Sequence, residues 1–421
     1  MLFRDLVSTL LLVTLTGAAF ASSDGDDYSE YSGTYEFEDG VRVTGGRFDE
    51  AGEVMLLYLD TETIRRGGVF IREDGTLKGR FGARELSFEE RGDLMRWRTL
   101  EDDILMARRV MKPQTRAARF ANGDISLAGT LYLPPGDGPF PAVVIAHGSG
   151  PVNRYAGAWT GFFLEQGMAV LGFDKRGVGQ STGDWREASY AELADDLGAA
   201  VGWLGMQKDI DDKRLGLSST SQSGWYAPSA ALDNPSVAFL LQRAGPAVNV
   251  GMGTNHERIE EWKAEGLDDT SIQAAAGFRM ALHELARSGG ALESAQTRLE
   301  EARRQPWFEP AFGNWKTVEP GWWRQLTANM QLEPAKDTAQ LRIPVLWFLA
   351  ERDENVPYAA SMAALARTKQ RNPELTVVTI HDAGHSFLVR DENDNLRYAD
   401  GYWQVMAGWL AEHGFSGSSK D

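Results

Sequence analysis

Cysteine is absent from this 421-residue chain, and that single gap removes several chemistries at once. Disulfide staples, thiolate zinc sites and a cysteine nucleophile are all excluded. Histidine is scarce as well. His147, His256, His283, His381, His385 and His413 nowhere form the HExxH pattern of a metalloprotease, so no metal and no cofactor is expected. Positive charge is in deficit: 43 Lys and Arg stand against 60 Asp and Glu, a formal net charge of −17. Nucleic acid and anionic membrane surfaces are therefore poor partners. Apolar runs long enough to cross a bilayer are missing too. The nearest candidate, Leu6 to Leu15, is short, follows Arg4 and leads into Ala19-Phe20-Ala21. That pattern predicts a signal peptide over residues 1–21, cleaved before Ser22. Export to the periplasm or the medium follows, with no stable membrane insertion after processing.

What is present suits a globular core: 43% of residues are hydrophobic and 24% charged. Residues 22–115 read as a β-rich accessory domain of short alternating runs. Asp39-Gly40 and Asp74-Gly75 supply hairpin turns, because both central turn residues need positive φ. Residues 116–421 change character to strand, loop, helix, strand. PAVVIAHGSGP, AVLGFDKRGVGQS, RLGLSST, SVAFLLQRAGP, IPVLWFLAERD and LTVVTIHDAGH read as strands, mostly buried on both faces. Alternation with helices predicts a doubly wound, mostly parallel sheet. A helical block at about 247–338, broken at Ser288-Gly289-Gly290, interrupts that alternation and should stand outside the sheet as a lid. A final helix is expected from about Tyr398 to His413.

Ligands of such sheets bind at the carboxyl ends of the strands, so reactive side chains are sought there. Ser221, in LSSTSQSGW, suits a sharp strand-to-helix turn that exposes a nucleophile. Ser219 and Ser223 occupy the flanking positions usually held by glycine. Leu217 and Trp225 are too bulky to flank Ser219 or Ser223 as alternative nucleophiles. Asp353 follows a buried strand and suits the group that orients a base; Glu351, Glu354 and Asp382 compete with it. His385 follows the last strand, with Ala383-Gly384 before it, and suits the base. His381 reads as a bystander. The loop His147-Gly148-Ser149-Gly150 offers the amide of Ser149, or that of Gly148, as an oxyanion donor beside the amide of Gln222. Gly177-Val178-Gly179 lacks the full pattern of a nucleotide loop, and Asp174 with Arg176 is expected to form an ordering ion pair.

With these residues in hand, the chain resembles the bacterial α/β-hydrolase superfamily, in its serine aminopeptidase-like (S33-type) hydrolase and esterase group. The resemblance rests on LAGTLYLPPGDGPFPAVVIAHGSGP, FDKRGVGQSTGDW, SQSGWYAP, Asp353 and His385. It implies an α/β-hydrolase fold with an inserted lid, while the β domain lies outside it. The serines at 219 and 223 depart from the family's usual elbow.

The leading expectation is an exported serine hydrolase that cleaves carboxylic esters through Ser221, His385 and Asp353 and an acyl-enzyme. Its substrate would be a small acyl ester or a peptide-like molecule. Thioester cleavage is a variant of the same chemistry. Trp225, with the lid residues Trp307, Trp315, Trp322 and Trp323, is a candidate for an apolar substrate pocket. An aminopeptidase or amidase on the same residues is the alternative, with Glu260, Glu261 and Glu265 as candidate receivers of a substrate amino group. A third reading is a non-catalytic binding protein on a hydrolase scaffold. Oligomeric state is not legible.

Overall fold

The computed structural model describes residues 31–47, 54–58, 68–73, 76–81, 84–99, 102–390 and 396–417. The expected signal peptide and the Asp74-Gly75 turn lie outside them. Short alternating strands come first: β1 (Gly33–Phe37), β2 (Arg42–Arg47), β3 (Val54–Tyr58), β4 (Gly68–Glu73), β5 (Thr76–Phe81), β6 (Glu85–Glu89), β7 (Leu94–Arg98) and β8 (Ile104–Met111). Each pairs antiparallel with the next, and β8 returns to β1, closing a barrel. Asp39-Gly40 turns β1 into β2 with Gly40 at φ 82°. Closure removes the exposed edges that so small a sheet would otherwise present. Inward Tyr35, Phe37, Val43, Leu86, Met95 and Trp97 fill its interior.

Two residues separate β8 from β9 (Gln114–Asn122), which opens the second sheet. The other strands of that sheet are β10 (Ile125–Leu133), β11 (Phe140–Ile145), β12 (Ala169–Phe173), β13 (Ile210–Thr220), β14 (Val237–Arg243), β15 (Val345–Ala350) and β16 (Leu375–Ile380). Their order is β16-β15-β14-β13-β11-β12-β10-β9. β11 to β16 run parallel, whereas β9 and β10 form an antiparallel hairpin on the edge beside β12. The expected doubly wound, mostly parallel sheet is the one observed. Apolar runs such as VLWFLA in β15 are buried at every position, because helices cover both faces.

One face carries α1 (Ala158–Glu165) and α11 (Tyr402–Glu412); α2 (Tyr190–Gly205), α3 (Ala227–Asp233) and α10 (Tyr358–Lys369) complete the wrapping. The last helix starts later than its sequence suggests. Tyr398 instead ends β18 (Leu396–Tyr398), paired with β17 (Leu388–Arg390) in a small hairpin. Between β14 and β15 stands the helical block: α4 (Val250–Ala264), α5 (Asp269–Arg287), α6 (Leu292–Ala302), α7 (Phe308–Phe312), α8 (Pro320–Asn329) and α9 (Pro334–Thr338). Gly289, at φ 72°, makes the break between α5 and α6. Among the described residues no helix is long and apolar enough to cross a membrane.

The barrel rests against α1 through glycine. A Cβ on Gly161 of α1 would lie 2.4 Å from Thr44 Oγ1 and 2.6 Å from the Gly45 nitrogen, both in β2. Gly157 N–H donates to the Arg47 carbonyl at 2.9 Å, and the Arg47 guanidinium lies 4.0 Å above the Tyr155 ring. Thr34 of the barrel donates to Glu165 of α1.

Candidate active site

β13 ends at Thr220, and the chain turns at once through a tight helical turn over Ser221–Trp225. Ser221 sits at φ 51°, a left-handed conformation costing a non-glycine residue about 1–3 kcal/mol. The turn holds that strain through the two serines that replace glycine. The Ser223 hydroxyl accepts from the Thr220 N–H at 2.8 Å and lies 3.1 Å from the Ser219 hydroxyl, which itself donates to Gln242. Both serines are fully buried. The close chain crossing that excludes a side chain falls one residue later, where a Cβ on Gly224 would meet Gly245 Cα at 2.5 Å.

Asp353 and His385 follow β15 and β16, and the fold brings both to Ser221. The Ser221 hydroxyl lies 3.0 Å from His385 Nε2, and His385 Nδ1 lies 2.9 and 3.1 Å from the two Asp353 oxygens. A carboxylate can only accept, so Nδ1 carries the proton and Nε2 is left to accept from the serine. Asp353 Oδ1 also accepts the N–H groups of Asn355 and Val356, each at 2.9 Å. Burial pushes the His385 imidazole down, but the Asp353 charge and hydrogen bond outweigh it, and the net shift is upward. Glu354 is not a rival to Asp353: it accepts the backbone N–H of His385 at 3.2 Å. A Cβ on Gly384 would stand 3.0 Å from that carboxylate, which explains the glycine. His381 is exposed beside Glu351.

The loop after β11 lies against the same turn. A Cβ on Gly148 would be 3.8 Å from Ser221 Cβ. Among the described residues no acceptor takes the N–H of Gly148, Ser149 or Gln222. His147 holds the loop: its Nε2–H donates to the Phe173 carbonyl at 2.6 Å, and burial pushes the imidazole down to about 3, keeping it neutral. Lys175, only 1% exposed, reaches between the loop and the turn. Its ammonium donates to the carbonyls of Gly148 at 2.9 Å and Gly150 at 3.2 Å, and to the Gln222 side chain at 2.8 Å. Burial pushes this lysine down to about 7.

Several sequence expectations are redrawn. Asp174 pairs with Arg154, not with Arg176, while Arg176 pairs with Asp196 of α2 at 2.7 Å. Sequence adjacency misled here, because Asp174 and Arg176 turn into different neighbours. Trp225 is buried, donates to the Val248 carbonyl at 3.0 Å and stacks on Tyr190; it does not line the cavity that holds Ser221. Trp307 and Trp315 pack among Phe278, Phe308 and Phe312 in the lid, while Trp322 contacts Trp315 and Trp323. Glu260 pairs with Lys263, and Glu261 and Glu265 with Arg258. A lid carboxylate that the sequence reading passed over, Glu257, is electrostatically coupled to His385 and Asp353. Burial and Glu261 push it up to about 6, against a downward pull from His385 and Arg279. His256, beside it, lies 3.3 Å from the Asp353 carbonyl.

The family model described as serine aminopeptidase, S33, matches residues 137–393. An uncharacterized 31.7 kDa protein of Escherichia coli is 25% identical over 240 residues, covering 55% of this chain and 79% of that protein. The bifunctional esterase/perhydrolase of Acinetobacter calcoaceticus is 24% identical over 215 residues, 48% of this chain and 70% of its own. A thiohydrolase of Aspergillus aculeatus is 35% identical over 119 residues, 28% of this chain and 37% of that enzyme. Among solved structures, the Pyrococcus furiosus esterase aligns at a TM-score of 0.47 and 16% identity, over 72% of this chain and 92% of that one. The strand order of the second sheet, with Ser221, Asp353 and His385 gathered after β13, β15 and β16, and a family match across most of that sheet lead to one conclusion: the chain is a serine-type α/β hydrolase and belongs to the serine aminopeptidase S33 family.

Proposed function

We propose that this enzyme hydrolyses carboxylic esters through Ser221, His385 and Asp353 by way of an acyl-enzyme. The observation that carries the proposal is the unbroken hydrogen-bond row from Asp353 through His385 to the strained Ser221. Ser221 Oγ attacks the ester carbonyl while His385 Nε2 takes its proton. Asp353 holds the tautomer and stabilises the imidazolium that forms. The carbonyl oxygen becomes an oxyanion facing the Ser149 and Gln222 N–H groups, with Gly148 alongside; one such donor is typically worth ~10²–10³ in rate. The tetrahedral intermediate then collapses. His385 returns the proton to the departing alcohol, leaving Ser221 acylated. A water molecule, deprotonated by His385, attacks the acyl carbon and releases the carboxylic acid. The esterase and thiohydrolase relatives support acyl transfer to water. Export by the signal peptide of residues 1–21 is part of the same reading.

The purified protein is expected to cleave short p-nitrophenyl esters, and Ser221→Ala to lose essentially all of that turnover. A fluorophosphonate should label Ser221. Undiminished hydrolysis in the alanine variant would sink the assignment, and silence toward the probe would favour a binding role. A second reading, an aminopeptidase, is favoured by Glu257 alone. A carboxylate held in the lid and coupled to His385 suits a substrate ammonium. Amino-acid p-nitroanilides measured against acyl esters separate the two.

A further inference from the structure

Arg243 is the last residue of β14, and the sheet register sets it opposite Thr220, the residue before the proposed nucleophile. Neighbouring strands lie about 4.8 Å apart, so a cationic side chain starts one strand away from the Ser221 turn. That side chain is 3% exposed. Its guanidinium carbon lies 3.5 Å from the centroid of the Trp159 ring, a stacking that offsets part of the desolvation of the charge. No carboxylate offsets the rest. Among the described residues Arg243 forms no ion pair, and its buried Nε has no hydrogen-bond partner. The groups coupled to its charge are the phenols of Tyr402 and Tyr398, both pushed upward by burial and so neutral. A buried arginine is ordinarily matched by an acid, because isolated charge in a protein interior is costly. The neighbouring arginines obey that rule: Arg154 is held by Asp174 and Arg176 by Asp196.

Arg243 opens into a cavity of about 270 Å³ that it shares with Ser221, His385, Gly148 and Ser149. Val152, Trp159 and Phe387 make the remaining wall largely apolar. Its volume falls just below the ~300–1,000 Å³ of sites for larger ligands, so it suits a short chain rather than a bulky group. The geometry points to a carboxylate subsite: we propose that the substrate is an ester whose short acyl part ends in a carboxylate, received by Arg243 inside this cavity. This rests on the ester reading and supplies its substrate class. A planar guanidinium whose Nε–H has no partner matches a carboxylate through two parallel hydrogen bonds, even with Tyr402 within reach of another of its N–H groups. A doubly charged phosphate fits less well, because Arg154, the other cation on the wall, is already neutralised by Asp174.

The test compares two acyl groups of equal length, p-nitrophenyl hydrogen glutarate and p-nitrophenyl valerate. The parent enzyme should prefer the glutarate hemiester in kcat/KM by about 10- to 100-fold, the range expected of a charge-assisted hydrogen bond in a buried site. Arg243→Met should abolish the preference, and Arg243→Lys, which keeps the charge but not the fork, should retain part of it. Thermal melting and fluorophosphonate labelling of each variant report whether it is folded. Equal kcat/KM for both esters in the parent, or an unaltered ratio in a folded Arg243→Met, overturns the subsite. If the parent hydrolyses neither ester, the ester reading has failed, and a titration of glutarate, which needs no turnover, decides the subsite alone. Binding that disappears in Arg243→Met supports it, and absence of binding to the parent overturns it.

Discussion

Lys175 and Arg243 stand on opposite sides of β13, one just past β12 and the other ending β14, and both are buried beside the Ser221 turn. The lysine is satisfied from within. Three oxygens of the chain accept its protons, two from the loop of Gly148 and Gly150 and one from Gln222. The arginine has an aromatic ring and neutral phenols but no acid. A cation whose donors are used up by the fold can only position; one whose donors remain free is available to a ligand. Lys175 ties together the two segments that carry the proposed oxyanion donors, so its influence should fall on every substrate alike. Arg243 should discriminate between substrates.

Substitutions can break or sharpen that contrast. The scale is set by Asp353→Asn, which leaves the geometry but permits the wrong imidazole tautomer; kcat should fall about 10⁴-fold for all esters in steady-state assays. Next comes Lys175→Met. Loss of the clamp between the Gly148 loop and Gln222 should lower kcat by up to ~10²–10³ with glutarate and valerate esters equally affected. A loss confined to the anionic ester would erase the distinction between the two cations. Arg243→Met follows, with its selective effect. The smallest effects are in pH. Because the His385 pKa is raised, the imidazole stays protonated, and unable to act as a base, to a higher pH than usual. The acid limb of kcat/KM should therefore have its midpoint above the ordinary value near 6.5, as a pH–rate profile will report. Lys175 titrates oppositely. Its folded pKa, about 7, lies below the unfolded value near 10.5, so the unfolded chain holds more protons between those limits. The stability of the parent relative to Lys175→Met should rise with pH across that window and level off on either side. Melting temperatures of both proteins from pH 6 to 10 check this.

The parts of this arrangement that were legible in the sequence are the ones fixed by strand ends. Ser221 and Asp353 follow buried apolar runs and His385 the partly buried edge strand β16, and the sheet then brings them within hydrogen-bonding distance. The doubly wound sheet and its lid were legible for the same reason, since fully buried strands leave unbroken apolar runs. The cations were not. Arg154 and Asp174 are twenty residues apart, as are Arg176 and Asp196, and nothing local marks either pair; adjacency proposed the wrong partner for Asp174. Arg243 did carry a signal, a charge at the end of the apolar run SVAFLLQR, but its meaning depends on which acids the fold withholds from it. Glu257 lies on a helix crowded with similar charges, and only its coupling to His385 singles it out. Trp225 and the lid tryptophans read as a pocket because large aromatics suit either pocket or core; packing buries Trp225 and Trp323, while Trp315 and Trp322 line a lid cavity apart from Ser221.

One contact made far from these side chains bears on all of them. The segment from Val152 to Trp159 forms a wall of the Arg243 cavity, and its far side is where the barrel sits, with Gly157 bonded to Arg47 and Gly161 pressed against Thr44 and Gly45. The barrel thus backs the segment that walls this cavity. Gly161→Val would force the two apart, at a cost of about 1–3 kcal/mol as for other overpacked sites, and the chamber should widen with it. Acyl-chain preference, measured across a length series, should then broaden while Ser221 remains reactive to the fluorophosphonate. Such broadening would make the barrel, which lies outside the family match, a determinant of substrate size.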